Sequence, residues 1–94
     1  MDRDEIVEWV TDHMGGEVML ADGFEEAFIG LCSRFGMETV AAFDKDKCIE
    51  IIVAGSDKND LTDEELYAEA EEYFEFNVIG AWVGDQTPVF LTLV

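Results

Sequence analysis

Positive charge is what this sequence has least of. Its 94 residues include 5 Lys and Arg against 23 Asp and Glu, which gives a formal net charge of −18. Most carboxylates therefore have no cation to pair with, and their mutual repulsion destabilises compact states. Such a surface repels nucleic acid and anionic membranes, and it attracts basic surfaces over a distance. We expect a partner protein with a basic or nucleic-acid-binding surface, and no direct binding of nucleic acid or membrane.

Cysteine and histidine are almost as scarce as cations. Cys32 and Cys48 are too few for a disulfide framework, and both stand among apolar residues, so we expect buried free thiols in a reducing cytoplasm. His13 is the only histidine, and neither cysteine has a base or a nucleophile signature beside it. The sequence therefore predicts no catalytic residue, and we expect a protein that is not an enzyme.

Recognisable metal and cofactor motifs are also missing. Asp44-x-Asp46 and Asp57-x-Asn59 begin like calcium-binding loops, but both lack the glycine at the sixth position and the glutamate at the twelfth. Two cysteines and one histidine do not make a structural zinc site at any usual spacing. The glycines near the C-terminal end are not followed by a lysine, as a phosphate-binding P-loop requires. We expect neither a metal nor a cofactor.

Long apolar runs are absent, although apolar residues are plentiful. No run approaches the ~20 residues of a membrane-spanning helix. Three of the first five residues are acidic and one is basic, unlike the basic start of a secretory signal. Apolar residues still make up 49% of the sequence, including seven Phe and two Trp. Disordered acidic chains lack such residues because they cannot bury enough surface to offset chain entropy. We therefore expect residues 1–94 to form one compact acidic domain located in the cytoplasm.

Apolar spacing and glycine positions predict the elements of the first half. Residues 3–14 have helical spacing and end at Gly15-Gly16, and residues 17–21 are a weak strand or an extended connector. Apolar residues recur at three and four positions in residues 24–34, which predicts a second helix with Asp22 as its N-cap and Gly36 as its stop. Gly30 inside this helix would mark the close approach of another element.

The second half begins with a predicted strand at residues 38–43 and a helix at residues 45–54, with Asp44 as the N-cap of the helix. The competing interpretation of the latter is a strand, because residues 49–53 are rich in β-branched side chains. Thr62 and Glu65 form a capping box for a helix that runs to about Asn77, and residues 89–94 form the last strand. The sequence therefore predicts an α+β fold, with about four helices packed on a small antiparallel sheet of two or three strands.

Acidic residues are densest on the predicted helix after Thr62. Nine acidic residues and one lysine occupy positions 57–75. A charge run of this kind is ordinarily a solvated helix face. The sharper hypothesis is DNA mimicry, because carboxylates along a rigid helix can approximate a row of phosphates, and the net charge exceeds what solubility requires. The candidate partner-binding carboxylates are Asp63, Glu64, Glu71, Glu72 and Glu75.

Trp82, between Gly80 and Gly84, is a further candidate. Tryptophan is usually well buried, so a core position is the ordinary interpretation. An exposed Trp82 would instead be a strong candidate for a contact hot spot in a partner interface. The two interpretations stay open on the sequence.

Two stretches resemble a widespread group of small proteins encoded by bacteriophages. One is DGFEEAFIG at 22–30, continued by AFDKDKCIEI at 42–51, and the other is EYFEFNVIGAWVG at 72–84, followed by Thr87-Pro88-Val89-Phe90. The group is mostly uncharacterised, so the resemblance implies an origin and no activity. Phages commonly encode small acidic proteins that block host defence or host DNA enzymes. By analogy of size and charge, and not by any motif, such an origin favours a protein that modulates or inhibits a host macromolecule.

Two other roles remain open on the sequence. A structural or assembly component of a virion would self-associate or expose a large apolar patch. A protein of a salt-adapted host would carry its acidity without any specific function. Self-association is compatible with either binding role where salt screens the charge.

Overall fold

The computed structural model describes residues 1–56, 60–81 and 84–94. This part of the chain is α+β, with three α-helices and one three-stranded sheet. In chain order the elements are α1 (Arg3–Met14), a 3₁₀ turn (Glu25–Ala27), β1 (Phe28–Cys32), β2 (Val40–Asp44), α2 (Lys45–Ala54), α3 (Asp63–Phe74), a π-helical turn (Glu75–Ile79) and β3 (Val89–Leu91). Among the described residues, no helix is both long enough and apolar enough to cross a membrane.

Helix α1 has the predicted bounds because both of its ends are capped. The Asp2 carboxylate accepts a hydrogen bond from the Glu5 backbone N–H at 2.8 Å, and the Glu5 carboxylate accepts one from the Asp2 N–H at 3.1 Å. Gly15 ends the helix with a φ of 69°, in the left-handed region that glycine enters freely. Ile6 and Val10, one helical turn apart, are buried.

The predicted helix over residues 24–34 is wrong. Only the 3₁₀ turn at Glu25–Ala27 is helical, and β1 follows directly and pairs with β2 as an antiparallel hairpin. Gly30 has a φ of 149°, far from helical values, and lies where a β-bulge shifts the register. A Cβ at Gly30 would have no atom within 4 Å, so this glycine marks the bulge and not the close approach of another element.

The helix prediction fails because pairing with β2 outweighs a weak local preference for helix. Residues 28–32 (FIGLC) are rich in aromatic and branched side chains, which suit a pleated strand as well as they suit one side of a helix. Helical spacing over such a short stretch is weak evidence for a helix, and pairing with β2, of which four of five residues are buried, decides the outcome.

The sheet is mixed, whereas the sequence analysis expected an antiparallel one. The strand order is β1-β2-β3, and β3 runs parallel to β2 with Phe43 opposite Phe90. Parallel neighbours need a crossover connection, and residues 45–88 provide it through α2 and α3. β3 is also shorter than the predicted strand at 89–94. Residues 1–56, 60–81 and 84–94 contain three α-helices, where about four were expected.

Helices α2 and α3 confirm the predictions based on capping. The Asp44 carboxylate accepts a hydrogen bond from the Lys47 N–H, so residues 45–54 form a helix and not the competing strand. Thr62 and Glu65 form the predicted capping box at 3.2 Å in both directions. The predicted helix to about Asn77 corresponds to α3 and its π-helical continuation.

A continuous row of aromatic contacts joins these elements. Its ring centroids lie 5.0–6.5 Å apart, mostly in edge-to-face geometry. In order of contact the rings are Trp9, Phe28, Phe43, Phe90, Phe74 and Phe24. Because Phe74 is fully buried in this row, α3 is fixed with its charged sides toward solvent.

Candidate functional site

Helix α3 presents a dense array of carboxylates. Burial of Ala70 and Phe74 fixes its inner side, and all its acidic residues are exposed. They are Asp63, Glu64, Glu65, Glu69, Glu71 and Glu72, with Glu75 in the following turn. At 1.5 Å per residue, residues 63–75 span roughly 18 Å, so there is about one carboxylate per 3 Å. One DNA strand carries one phosphate per ~3.4 Å of axis, so the charge densities are similar.

The carboxylates form two rows, because 3.6 residues make one helical turn. The first row contains Glu64, Glu71 and Glu75, and the second row contains Glu65, Glu69 and Glu72. The predicted partner-binding residues are therefore divided. Three of them form the first row, Glu72 belongs to the second, and Asp63 begins the helix.

Two members of the first row, Glu71 and Glu75, lie near the N-terminal end of α2. Lys45 Nζ donates a hydrogen bond to Glu75 Oε1 at 2.9 Å. This bond, with the negative charges of Glu75, Glu71 and Asp46, raises the pKa of Lys45 above its ordinary value, although burial opposes the shift. Glu75 therefore ties α3 to α2, which makes it a poorer candidate for a partner contact than the sequence analysis expected.

Helix α2 adds carboxylates that the sequence analysis did not select. Burial, followed by the charges of Asp46, Glu71 and Glu50, raises the pKa of Tyr67, whereas Lys45 lowers it. These residues therefore lie close together across the two helices. The i, i+4 spacing of Asp46 and Glu50 on the predicted helix was the available signal, because it places both on one side.

Exposed aromatic side chains and an apolar groove lie at the C-terminal end of α3. Tyr73 and Phe76 are 54% and 76% exposed. The apolar groove, of about 330 Å³, lies between the C-terminal part of α3, the connector before the 3₁₀ turn and the segment entering β3. Its principal lining residues are Leu20, Phe24, Tyr73, Val78, Pro88 and Phe90.

The cations among the described residues are ion-paired or lie on another element. Within the described residues the ion pairs are Arg3–Asp22, Lys45–Glu75 and Lys47–Glu50, the last at 3.8 Å. Arg34 is exposed in the turn between β1 and β2. Trp82, the sixth predicted contact residue, lies outside the described residues, as does the Asp57-x-Asn59 pattern.

The two cysteines and the histidine are the side chains with possible chemical reactivity. Cys48 is fully buried, and burial with the nearby charge of Asp44 raises the pKa of its thiol to about 12, so it stays protonated at neutral pH. Cys32 is half-buried, and both thiols are free. His13 stacks on Trp9 with ring centroids 4.0 Å apart. Among residues 1–56, 60–81 and 84–94, no group of three or more His, Cys, Asp or Glu side chains could hold a metal ion.

Comparison of the chain with protein-family models, with curated proteins and with solved structures gives no match.

Proposed function

We propose that this protein binds a macromolecule with a basic, nucleic-acid-binding surface and modulates or inhibits it, with α3 standing in for a DNA strand. The observation that carries the proposal is the density of exposed carboxylates on α3, about one per 3 Å of helix axis. A site built to bind a row of phosphates would accept such a row of carboxylates.

The rigidity of α3 supports the proposal. Its N-terminus is held by the Thr62–Glu65 capping box, and its C-terminal end is held by the buried Phe74 and by the Lys45–Glu75 ion pair. A charge array that is ordered before binding loses little conformational entropy when the complex forms. The excess negative charge would also steer a basic partner toward the surface and raise the association rate.

The resemblance to bacteriophage proteins adds a biological role to the proposed binding. A phage origin would make the partner a host protein, and inhibition of a host DNA enzyme or defence factor would be the consequence of occupying its nucleic-acid site. The proposal of this role rests on the resemblance, and the proposal of binding rests on α3.

Affinity capture from a bacterial lysate tests the proposal. The purified protein serves as bait at about 0.1 M and about 0.5 M NaCl, which bracket strong and weak charge interactions, and mass spectrometry identifies what is retained. We expect a discrete nucleic-acid-binding protein that is retained at the lower salt and displaced by added duplex DNA. Retention of nothing specific, or of proteins that DNA does not displace, would contradict the proposal. Retention of the protein's own copies alone would favour an assembly role.

A matched pair of variants distinguishes binding through the carboxylates of α3 from attraction by the net charge of the protein. The test variant is Glu64→Gln/Glu71→Gln/Glu72→Gln, and the control is Glu8→Gln/Asp12→Asn/Glu17→Gln on and after α1. Both remove three negative charges from exposed positions, and both leave the Lys45–Glu75 pair intact. We expect capture to weaken strongly in the test variant only. Equal weakening in both would mean that net charge, and not α3, retains the partner.

A further inference from the structure

The loop that joins β1 to β2, residues 33–39, holds an aromatic side chain in solvent. Phe35 is fully exposed, and Met37 is 59% exposed. The Met37 N–H donates a hydrogen bond to the backbone carbonyl three residues earlier at 3.0 Å, and Gly36 has the φ of 79° that the third position of a type II turn requires. The Ser33 and Thr39 hydroxyls are hydrogen-bonded to each other at 3.0 Å. The loop therefore presents Phe35 from an ordered turn.

A pocket of about 370 Å³ lies beside this loop, at the same end of the sheet. Its apolar lining comes from Cys32 at the end of β1, Met37 in the loop, Val40 at the start of β2 and Val89 at the start of β3. Phe35 does not line the pocket, and its full exposure means that its ring does not fill the pocket of its own chain. One end of the sheet therefore carries both a protruding ring and an apolar recess of a size that can receive one.

The charges at this end of the sheet differ from those of the helices. Residues 27–43 contain Arg34 and Glu38 as their only charged side chains, so this stretch is neutral in a chain with a net charge of −18. Two copies that met through α1 or α3 would bring like charges together, and two copies that met here would not. The pocket is lined by Arg34 as well as by Glu38 and Asp85, so charges of both signs belong to one patch.

We propose that this end of the sheet is a dimer interface, in which the Phe35 ring of each copy enters the pocket of the other. A two-fold dimer needs a patch that is complementary to itself. The ring and the pocket meet that condition, as do Arg34 and Asp85. Two phenylalanines together bury about 300–500 Å², and a stable interface needs about 1,200 Å² or more, so we expect a weak dimer.

The proposed dimer goes beyond the proposed function and does not depend on it. The loop precedes β2, whereas α2 and its contact with α3 follow the other end of that strand. Dimerisation through the loop would therefore leave the carboxylate rows of α3 exposed.

Sedimentation velocity of the whole chain tests the inference, from about 10 µM to about 1 mM protein and at about 0.05 M and about 0.5 M NaCl. We expect a monomer–dimer equilibrium that shifts severalfold toward the dimer at the higher salt, because salt screens the repulsion between two acidic molecules and leaves apolar burial intact. Binding of a basic partner weakens with salt, so failure of either idea is visible separately. A monomer under all these conditions, or a dimer that salt dissociates, would overturn the inference.

Matched phenylalanine variants test whether the loop carries the dimer. Phe35→Ser should weaken dimerisation at least about tenfold, because two buried rings are lost from each dimer. Phe76→Ser, in the turn after α3, should leave it unchanged. Both side chains are exposed, at 103% and 76%, so both variants should fold, which circular dichroism checks. Equal weakening in the two variants would mean general adhesion between exposed apolar side chains and would overturn the inference.

Alkylation of Cys32 by iodoacetamide gives a second measurement, because this thiol lines the pocket while Cys48 is fully buried. We expect the alkylation rate per molecule of Cys32 to fall as the protein concentration enters the dimer range. In Phe35→Ser the rate should not depend on concentration. A dimer in which Cys32 reacts as fast as it does in the monomer would mean that the two copies meet through another surface, which would overturn the inference.

Discussion

At the scale of single residues, Cys48 is the clearest example of burial changing chemistry. Its thiol is fully buried, and its pKa is raised from 9.0 to about 12, first by burial and then by the charge of Asp44. Lys45 and Tyr67 also have raised pKa values, the former through its hydrogen bond to Glu75 and the latter through burial. All three groups hold their protons more tightly in the folded chain than in the unfolded one.

These shifts predict a loss of stability in alkali. As pH rises above the ordinary pKa of each group, the unfolded chain releases protons that the folded chain keeps, so the free energy of unfolding falls. The contribution of Cys48 is fully present below its ordinary pKa of 9.0 and is lost as pH approaches about 12. For that one group the slope is at most about 1.4 kcal/mol per pH unit. Urea denaturation between about pH 8 and about pH 11 measures it.

Cys48→Ala is the control for this prediction. It should lower stability at neutral pH by removing buried contacts, but it should flatten the alkaline slope because the titrating thiol is gone. An unchanged slope in the variant, or stability that rises with pH in the parent, would contradict the assignment. The sequence indicated the burial of Cys48 from its apolar neighbours. It could not indicate that Asp44, the N-cap of the same helix, would add to the shift.

At the scale of elements, N-terminal capping residues help to explain why the three α-helices could be predicted from the sequence. Helices α1, α2 and α3 each begin at a side chain that accepts a hydrogen bond from a backbone N–H three residues later, and this is a local pattern that a sequence displays. The β1–β2 hairpin depends on the pairing of two neighbouring segments, and the parallel pairing of β3 depends on residues far apart in the chain. The helical spacing within one segment encodes neither.

The α3 cap gives a quantitative prediction. Thr62→Ala removes a side chain that accepts a hydrogen bond from the Glu65 N–H and should lower the free energy of unfolding by about 1 kcal/mol. Thr11→Ala is the control, because the Thr11 hydroxyl donates only to the Val7 carbonyl within α1, a bond that contributes little to helix stability. Denaturant titration of the two variants measures the difference. Equal losses would show that the capping box is not what stabilises the start of α3.

The candidate site was predictable only in part at this scale. The sequence predicted the acidic sides of α3, but it did not indicate that Tyr73 on the same helix is 54% exposed. The groove also needs Leu20 and Pro88, which come from distant segments. The ion pair that engages Glu75 needs the antiparallel packing of α2 against α3, which joins the beginning of one helix to the end of the other. No spacing within α3 indicates either arrangement.

At the scale of the whole molecule, the net charge of −18 dominates. Because 23 Asp and Glu stand against 5 Lys and Arg, most repulsion is uncompensated and acts against the compact state. Raising NaCl from about 0.05 M to about 0.5 M should therefore increase the free energy of unfolding, by at least the ~1 kcal/mol of one pair of like charges 4 Å apart in water.

The same experiment tests whether the acidity is an adaptation to a salt-rich host. We expect the protein to be folded throughout this range of salt, because the capped helices and the aromatic row stabilise it without added ions. A protein that is unfolded below about 1 M salt would instead support adaptation to a salt-rich host. Stability that falls as salt is added would contradict the dominance of repulsion.

The parallel pairing of β3 with β2 has a kinetic consequence. The β1–β2 hairpin closes over a few residues and can form early, but β3 can dock only after residues 45–88 have completed their crossover. Phe90 on β3 contacts both Phe43 of β2 and Phe74 of α3, so its arrival joins the sheet to the acidic helix. The orientation of the carboxylate rows is therefore settled late in folding, by a strand that carries none of those charges.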